Sequence, residues 1–127
     1  MNPYMNTHSV LHNMRVLEAL AEPIGKAPEE FKFWRDAEGE ARTIFFQWIV
    51  YHSPDGFEWG YNGSGPADCA LNILAFCVDG KTAIRLHQKF KDEWLTKLPN
   101  EGGSITLCQV LGWISEVTDA EERSSQS

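Results

Sequence analysis

The segment FEWGYNGSGPADCALNIL, residues 57–74, constrains the fold more than any other part of the chain. Its Gly-Ser-Gly-Pro run, residues 63–66, loosens the backbone and then places proline where the first helical residue belongs. Asp68 follows in the first turn, and the residues after it are apolar almost all round. The segment therefore predicts a bend into a helix, Pro66 to Val78, that other elements enclose.

Aromatic and β-branched residues predict three antiparallel strands before this bend. The first runs from Phe31 to Asp36 and the second from Ala41 to Tyr51, joined by a turn in which Gly39 supplies a positive φ. The second strand lacks clean alternation, which indicates that both its faces are covered and that it is central. Residues 57–61 alternate aromatic side chains with Glu and Gly, and they predict the third strand.

Helical spacing of apolar residues predicts three further helices. The first spans Ser9 to Glu22 and the second Thr82 to Leu98. The third opens with a capping box of Thr106 and Gln109.

Together these elements predict an α+β fold, in which a three-stranded antiparallel sheet packs against a three-helix C-terminal part, with an extra N-terminal helix. We expect a single domain over residues 8–117, a frayed N-terminus at 1–7 and a disordered acidic and polar tail at 118–127.

Composition limits the classes of function. The 127 residues carry 18 acidic and 11 basic side chains, a net charge of -7 that opposes direct binding to nucleic acid. No apolar run is long enough for a membrane span and no signal peptide is visible, so a cytoplasmic protein without membrane contact is expected. Three cysteines, each in an apolar stretch, indicate buried thiols rather than disulfides.

The central run also carries a resemblance to a known family. The chain resembles a family of short uncharacterised proteins from bacteria, archaea, phages and plasmids, a domain of unknown function with the signature HSPxGFEWGYxGSGPAxLALxIL. The residues that carry the likeness are His52–Tyr61, Gly63–Ala67, Phe90-Lys91, Leu98-Pro99 and Trp113. Asn62 and Cys69 depart from the pattern, which has Gly and Leu there. The resemblance covers about residues 31 to 115 and implies a phage or plasmid accessory protein.

The glycine-rich bend is the first candidate site. Backbone amides at a helix N-terminus attract anions, so a phosphate could meet Ser64 and Gly65 while a base or sugar stacks on Trp59 or Tyr61. The alternative is a tight turn whose glycines only avoid steric clash. Two polar side chains on the enclosed helix, Asp68 and Asn72, either line a pocket or cap the helix and bond a neighbouring loop.

Acidic residues around the first hairpin form the second candidate. They could dock on a basic groove of a nucleic-acid-handling partner, or they are solvated acids that protect a strand edge. These residues are Glu29, Glu30, Asp36, Glu38 and Glu40.

Catalytic and metal constellations are weak. Cys69 with His52 would suit a small hydrolase, but no third orienting residue is indicated. His8 and His12 stand four apart without a further ligand nearby, and His87 is interpreted as a core histidine. We therefore expect no metal, no cofactor and no catalytic residue.

These observations favour a non-catalytic binding protein from a mobile element, a counter-defence inhibitor of the anti-CRISPR kind that binds a host protein. The alternative is a binder or sponge of a phosphate-bearing small molecule, such as a nucleotide, at residues 59–68. A Cys69 and His52 hydrolase is the weaker alternative. The oligomeric state is left open.

Overall fold

The computed structural model describes residues 15–53 and 55–125. The predicted frayed segment 1–7, together with His8 and His12, lies outside these residues. Residues 15–19 are helical and are called α1, so the first predicted helix ends before Glu22. No helix among the described residues is long and apolar enough to cross a bilayer.

Three antiparallel strands form one sheet. They are β1 (Glu30–Arg35), β2 (Ala41–Thr43) and β3 (Gly102–Thr106), in the order β2-β1-β3. The turn between β1 and β2 is closed by the Asp36 carboxylate, which accepts bonds from the amides of Glu38 and Glu40. Gly39 has a φ of 82°, as predicted for this turn. The first hairpin is thus confirmed.

The second strand is shorter than predicted, and β1 rather than β2 is central. Pairing ends at Thr43, and residues 44–53 are irregular instead of extending the strand to Tyr51. The physical reason is that side chains of the enclosed helix, described below, bond backbone groups that a neighbouring strand would otherwise pair.

The third strand was assigned to the wrong segment. Residues 57–61 form no strand, because Gly56 and Gly60 have φ values of 108° and 84° that break an extended ladder. The third strand is β3. Its Gly102 and Gly103 have low β-propensity, so the sequence does not indicate a strand there. Gly102 has a φ of 108°, and a Cβ there would lie 2.1 Å from the Phe33 carbonyl oxygen. Only glycine fits this close pairing.

The C-terminal part contains three helices. They are α2 (Ser64–Ala75), α3 (Gly80–Glu93) and α4 (Leu107–Ser125), with a 3₁₀ turn at Leu95–Lys97 after α3. The capping box of α4 is confirmed, since the Thr106 amide donates to Gln109 Oε1 at 2.8 Å and the Gln109 amide to Thr106 Oγ1 at 3.1 Å. Residues 118–125 continue α4 as exposed helix, where a disordered tail was predicted.

The enclosed helix is the centre of the molecule. Every residue of α2 from Gly65 to Ala75 is buried, which confirms the predicted bend into an enclosed helix. Aromatic rings of the sheet and of the segments after it pack beside it, with Phe31 and Phe45 at 5.3 Å and Phe33 and Trp59 at 5.5 Å between ring centroids. The α+β class with a three-stranded antiparallel sheet is confirmed.

Candidate functional site

The irregular segment 44–53 is attached to α2 by two buried polar side chains. Asn72 accepts from the Ile49 amide at 3.0 Å and donates to the Ile49 carbonyl at 2.9 Å. Its amide thereby offers Ile49 the pair of bonds that a neighbouring strand would offer. The predicted alternative in which Asn72 bonds a neighbouring loop describes this contact.

Asp68 holds the second half of the same segment. Its carboxylate accepts from the amides of Tyr51, His52 and Ser53 at 2.8–3.1 Å and from Gln47 Nε2 at 3.1 Å. Asp68 therefore does not cap its own helix, because it faces a neighbouring chain segment. Burial raises the pKa of this carboxyl, and the three amide bonds oppose that shift.

Large apolar side chains project from the attached segment. Phe46 is 75% exposed and Ile44 is 53% exposed, and the Phe46 ring meets the Trp48 ring edge-on at 6.0 Å. Beside them lies a hollow of about 410 Å³ that Lys26, Glu29 and Phe76 also line. We call Ile44, Phe46 and Trp48 the aromatic edge.

The predicted stacking residue Trp59 is part of the core. It is 2% exposed, and its indole nitrogen donates to the carbonyls of Pro99 and Asn100. The Arg35 guanidinium lies 4.4 Å from the centre of its ring and is bonded in turn to Glu58 and Asn100. No face of Trp59 is open to a base.

The other predicted ligand residues lie at the surface of the bend. Tyr61 is 51% exposed. Ser64 is the first residue of α2, and the N-cap position before it is Gly63, so no side chain caps this helix. Gly65 packs against Glu58, since a Cβ there would lie 2.8 Å from that side chain's Cβ. This close contact requires glycine at position 65 for steric reasons, independent of any ligand.

A hollow of about 390 Å³ at this bend is lined by Tyr61, Ser64 and Gly65. One cation, Arg42, and three acids share the lining, and Arg42 is itself paired with Asp36 at 2.9 Å. The acids are Glu40, Asp55 and Glu58. This excess of carboxylates repels a phosphate.

The five predicted partner-binding acids do not form one patch. Glu29 and Glu30 lie at the start of β1, whereas Asp36, Glu38 and Glu40 follow its end. Six extended residues separate the two groups by about 20 Å. The Asp36 carboxylate accepts hydrogen bonds within the turn. Bonds from the amides of Glu40 and Glu38 and the charge of Arg42 lower its pKa.

Two histidines meet between the attached segment and α3. The Nε2 atoms of His52 and His87 are 3.1 Å apart, and the ring centroids are 5.3 Å apart with an angle of 28° between the ring planes, so the two rings meet end to end. His87 Nδ1 lies 2.6 Å from the Ile84 carbonyl oxygen. Burial lowers the pKa of His87, the bond to Ile84 opposes this, and the charges of His52 and Lys91 lower it further. His87 is thus a buried histidine, as predicted, but it has a polar partner that the sequence did not indicate.

The cysteines show no nucleophile geometry. Cys69 is fully buried, and burial raises the pKa of its thiol well above the ordinary value. Burial also raises the pKa of Cys77 to about 11. A thiolate is therefore disfavoured at both positions, and the His52 ring contacts the rings of Tyr51 and His87. All three cysteines are free, although Cys108 is exposed and not buried as predicted.

Sequence reasoning missed the aromatic edge, Gln47 and the histidine pair. The run from Ile44 to Tyr51 was interpreted as a covered strand, which placed its aromatic side chains inside the molecule. The signal that could have corrected this is the pair of polar residues on an otherwise apolar α2, because a buried Asp and Asn require backbone partners.

The fold and these contacts define a small α+β protein that presents an irregular aromatic segment fixed to a buried helix. The chain belongs to a family of unknown function (DUF6166), whose model matches residues 33–116. The resemblance to an uncharacterised family is confirmed to this extent. No curated protein and no solved structure matches the chain. Within residues 15–53 and 55–125, no three His, Cys, Asp or Glu side chains are grouped to hold a metal ion.

Proposed function

We propose that this chain is a non-catalytic binding protein that recognises a protein partner through its aromatic edge. The observation that carries the proposal is the exposure of Phe46 and Ile44 immediately before residues 49–53, whose backbone is held by Asn72 and Asp68. Exposed aromatic side chains of this kind supply much of the binding energy at protein interfaces.

The attachment to α2 favours binding because it fixes the segment before a partner arrives. A loop that orders only on binding loses conformational entropy, which weakens association. Here Ile49, Tyr51, His52 and Ser53 already have backbone partners. The Ile44 amide also donates to the Lys32 carbonyl at 3.2 Å, so the aromatic edge lies between two anchored points of the backbone.

The charge of the chain indicates the chemistry of the partner. The net charge is -7, and Glu29 borders the hollow beside the aromatic edge. An acidic protein associates fastest with a basic surface. We infer a partner that carries an apolar pocket with basic residues at its rim, as the proteins of nucleic-acid-handling complexes do.

A phage or mobile-element origin, implied by the family resemblance, indicates that the binding partner is a host protein. We propose that the chain is a counter-defence inhibitor of the anti-CRISPR kind, which occupies a host defence protein in the host cytoplasm. Expression in cells whose CRISPR system targets a phage should then restore plaque formation by that phage.

The decisive comparison uses two surface variants. Phe46→Ala should abolish recovery of a stoichiometric host protein from lysate and remove the plaque phenotype, because it deletes the most exposed aromatic ring within residues 15–53 and 55–125. Leu111→Ala, on the 46%-exposed side chain of α4, is the matched control and should leave both unchanged. Equal recovery with Phe46→Ala, at unchanged thermal stability, would contradict the proposal.

Nucleotide binding at the bend is the alternative, and its contacts would be Tyr61, Ser64 and Gly65. The buried Trp59 and the acidic hollow give it less support. Thermal stabilisation by a panel of cyclic and linear nucleotides, increasing with concentration, would favour it over protein binding.

A further inference from the structure

The histidine pair has a geometry that goes beyond a buried hydrogen bond. His52 belongs to the segment that Asp68 holds, and His87 belongs to α3. Their Nε2 atoms approach to 3.1 Å. At this distance one nitrogen carries a proton and the other offers a lone pair.

The partner of His87 Nδ1 decides which nitrogen offers the lone pair. The Ile84 carbonyl only accepts hydrogen bonds, so Nδ1 carries the proton and the neutral ring leaves Nε2 as an acceptor. Metal-binding histidines have this arrangement, with the second ring nitrogen donating to a backbone carbonyl or a carboxylate. His87 is therefore oriented as a ligand would be.

The separation of the two Nε2 atoms also suits a metal ion. Two nitrogens bound to tetrahedral Zn²⁺ at about 2.0–2.1 Å lie about 3.3 Å from each other. The observed separation of 3.1 Å is within a few tenths of an ångström of this value. An ion midway between the two atoms would lie only about 1.6 Å from each, so both rings must tilt until their Nε2 lone pairs converge on an ion beside the present line between them.

We propose that His52 and His87 bind a divalent d-block cation such as Zn²⁺ through their Nε2 atoms. The ion displaces the proton on Nε2 of His52 and lies to one side of the line that joins the two nitrogens. In the neutral pair that proton leaves Nε2 of His52 while Nδ1 of the same ring takes one from solvent, so no net proton is released.

The charged groups around the histidine pair have opposite effects on the binding of a cation. The Asp68 carboxylate accepts from the His52 amide at 2.8 Å and favours a cation. The Lys91 ammonium, one helical turn from His87, opposes it, although Gln88 and Asp92 bond that ammonium at 2.8 and 3.4 Å. Because His52 is only half-buried, water or a partner protein can occupy the remaining positions. Such an open two-histidine site binds more weakly than a closed structural site.

The test is calorimetric titration of the chelator-treated full chain with Zn²⁺ alone. The chain has four histidines, so His52→Gln and the double variant His8→Gln/His12→Gln form a matched comparison. We expect one ion per chain, weakened about tenfold or more by His52→Gln and unchanged in the double variant. His87→Gln should do the same as His52→Gln where it folds.

A spectroscopic measurement keeps the test independent of the affinity. Zn²⁺ should shift the Nε2 resonances of His52 and His87 in nitrogen-15 spectra of the imidazole rings and leave Nδ1 of His87 protonated. The proposal is wrong if Zn²⁺ binding survives His52→Gln, is lost in the double variant, or is absent from the unaltered chain. Since His52 is half-buried, its substitution leaves a folded protein on which these outcomes can be measured.

Discussion

Asn72 shows how one side chain decides the course of a backbone. It is completely buried, and its amide group bonds both polar groups of Ile49 as well as the Asp68 carbonyl. Side chains that bond a segment of backbone in this way compete with regular secondary structure. The chain around Ile49 therefore lies against α2 and outside the sheet, although its residues favour strands.

Replacing Asn72 with Leu should lower the free energy of unfolding. Leucine has a similar volume, but it leaves the buried amide and carbonyl of Ile49 without a partner, at a cost of about 2–3 kcal/mol. Asn62→Leu, at an exposed position in the bend, is the control and should change stability by less than about 0.5 kcal/mol. Urea unfolding of both variants measures the difference; equal stabilities would show that Asn72 is dispensable.

At the scale of elements, α3 and α4 begin with side-chain caps that can be recognised in the sequence. The Asp79 carboxylate accepts from the Thr82 amide at 3.1 Å and from the Thr82 hydroxyl at the start of α3. Thr106 and Gln109 close the start of α4. Such local signals depend on residues three apart, so the capping box could be predicted from the sequence without tertiary information.

The cap of α3 predicts a pH-dependent contribution to stability. The bonds from Thr82 lower the pKa of Asp79 from its ordinary value of 3.8. The stabilisation is therefore complete above pH 3.8 and is lost as the pH falls through the lower pKa of the folded state. Asp79→Ala should cost about 1 kcal/mol at neutral pH, and less as the carboxyl is protonated.

The measurement is urea unfolding of the wild type and Asp79→Ala at neutral pH and again near pH 3. Because the Asp79 carboxyl becomes protonated at the lower pH, the unfolding free energies of the two proteins should approach each other there. Asp119→Ala, an exposed acid on α4, controls for the loss of one negative charge. A stability difference that grows on acidification would contradict the assigned role.

For the whole molecule, the sequence predicts a three-stranded antiparallel sheet but does not identify which segment supplies the third strand. The hairpin of β1 and β2 follows from local signals, including Gly39. The pairing of β1 with β3 joins residues far apart in sequence, and Gly102 and Gly103 carry no strand propensity. The same limit applies to the site. Asp68 and Asn72 could be singled out as polar residues on an apolar helix, but their partners in segment 44–53 depend on tertiary structure, and so does the meeting of His52 with His87.

The long-range pairing makes Gly102 a sensitive position for global stability. Gly102→Ala should lower the free energy of unfolding by more than about 2 kcal/mol, because its Cβ meets the Phe33 carbonyl and its φ of 108° is strained for alanine. The control is Gly112→Ala in α4, where a Cβ meets nothing within 4 Å. That change should stabilise the protein by up to about 1 kcal/mol. Thermal unfolding of the pair distinguishes these opposite signs, and a harmless Gly102→Ala would argue against the β1 and β3 register.

The attachment of segment 44–53 to α2 also bears on how such a chain diversifies. Because Asp68 and Asn72 secure the main chain from within, the outward side chains at 44 and 46 have little part in folding. Lineages can exchange them freely while the scaffold stays intact. One architecture can therefore give rise to a repertoire of specificities, each suited to a different target.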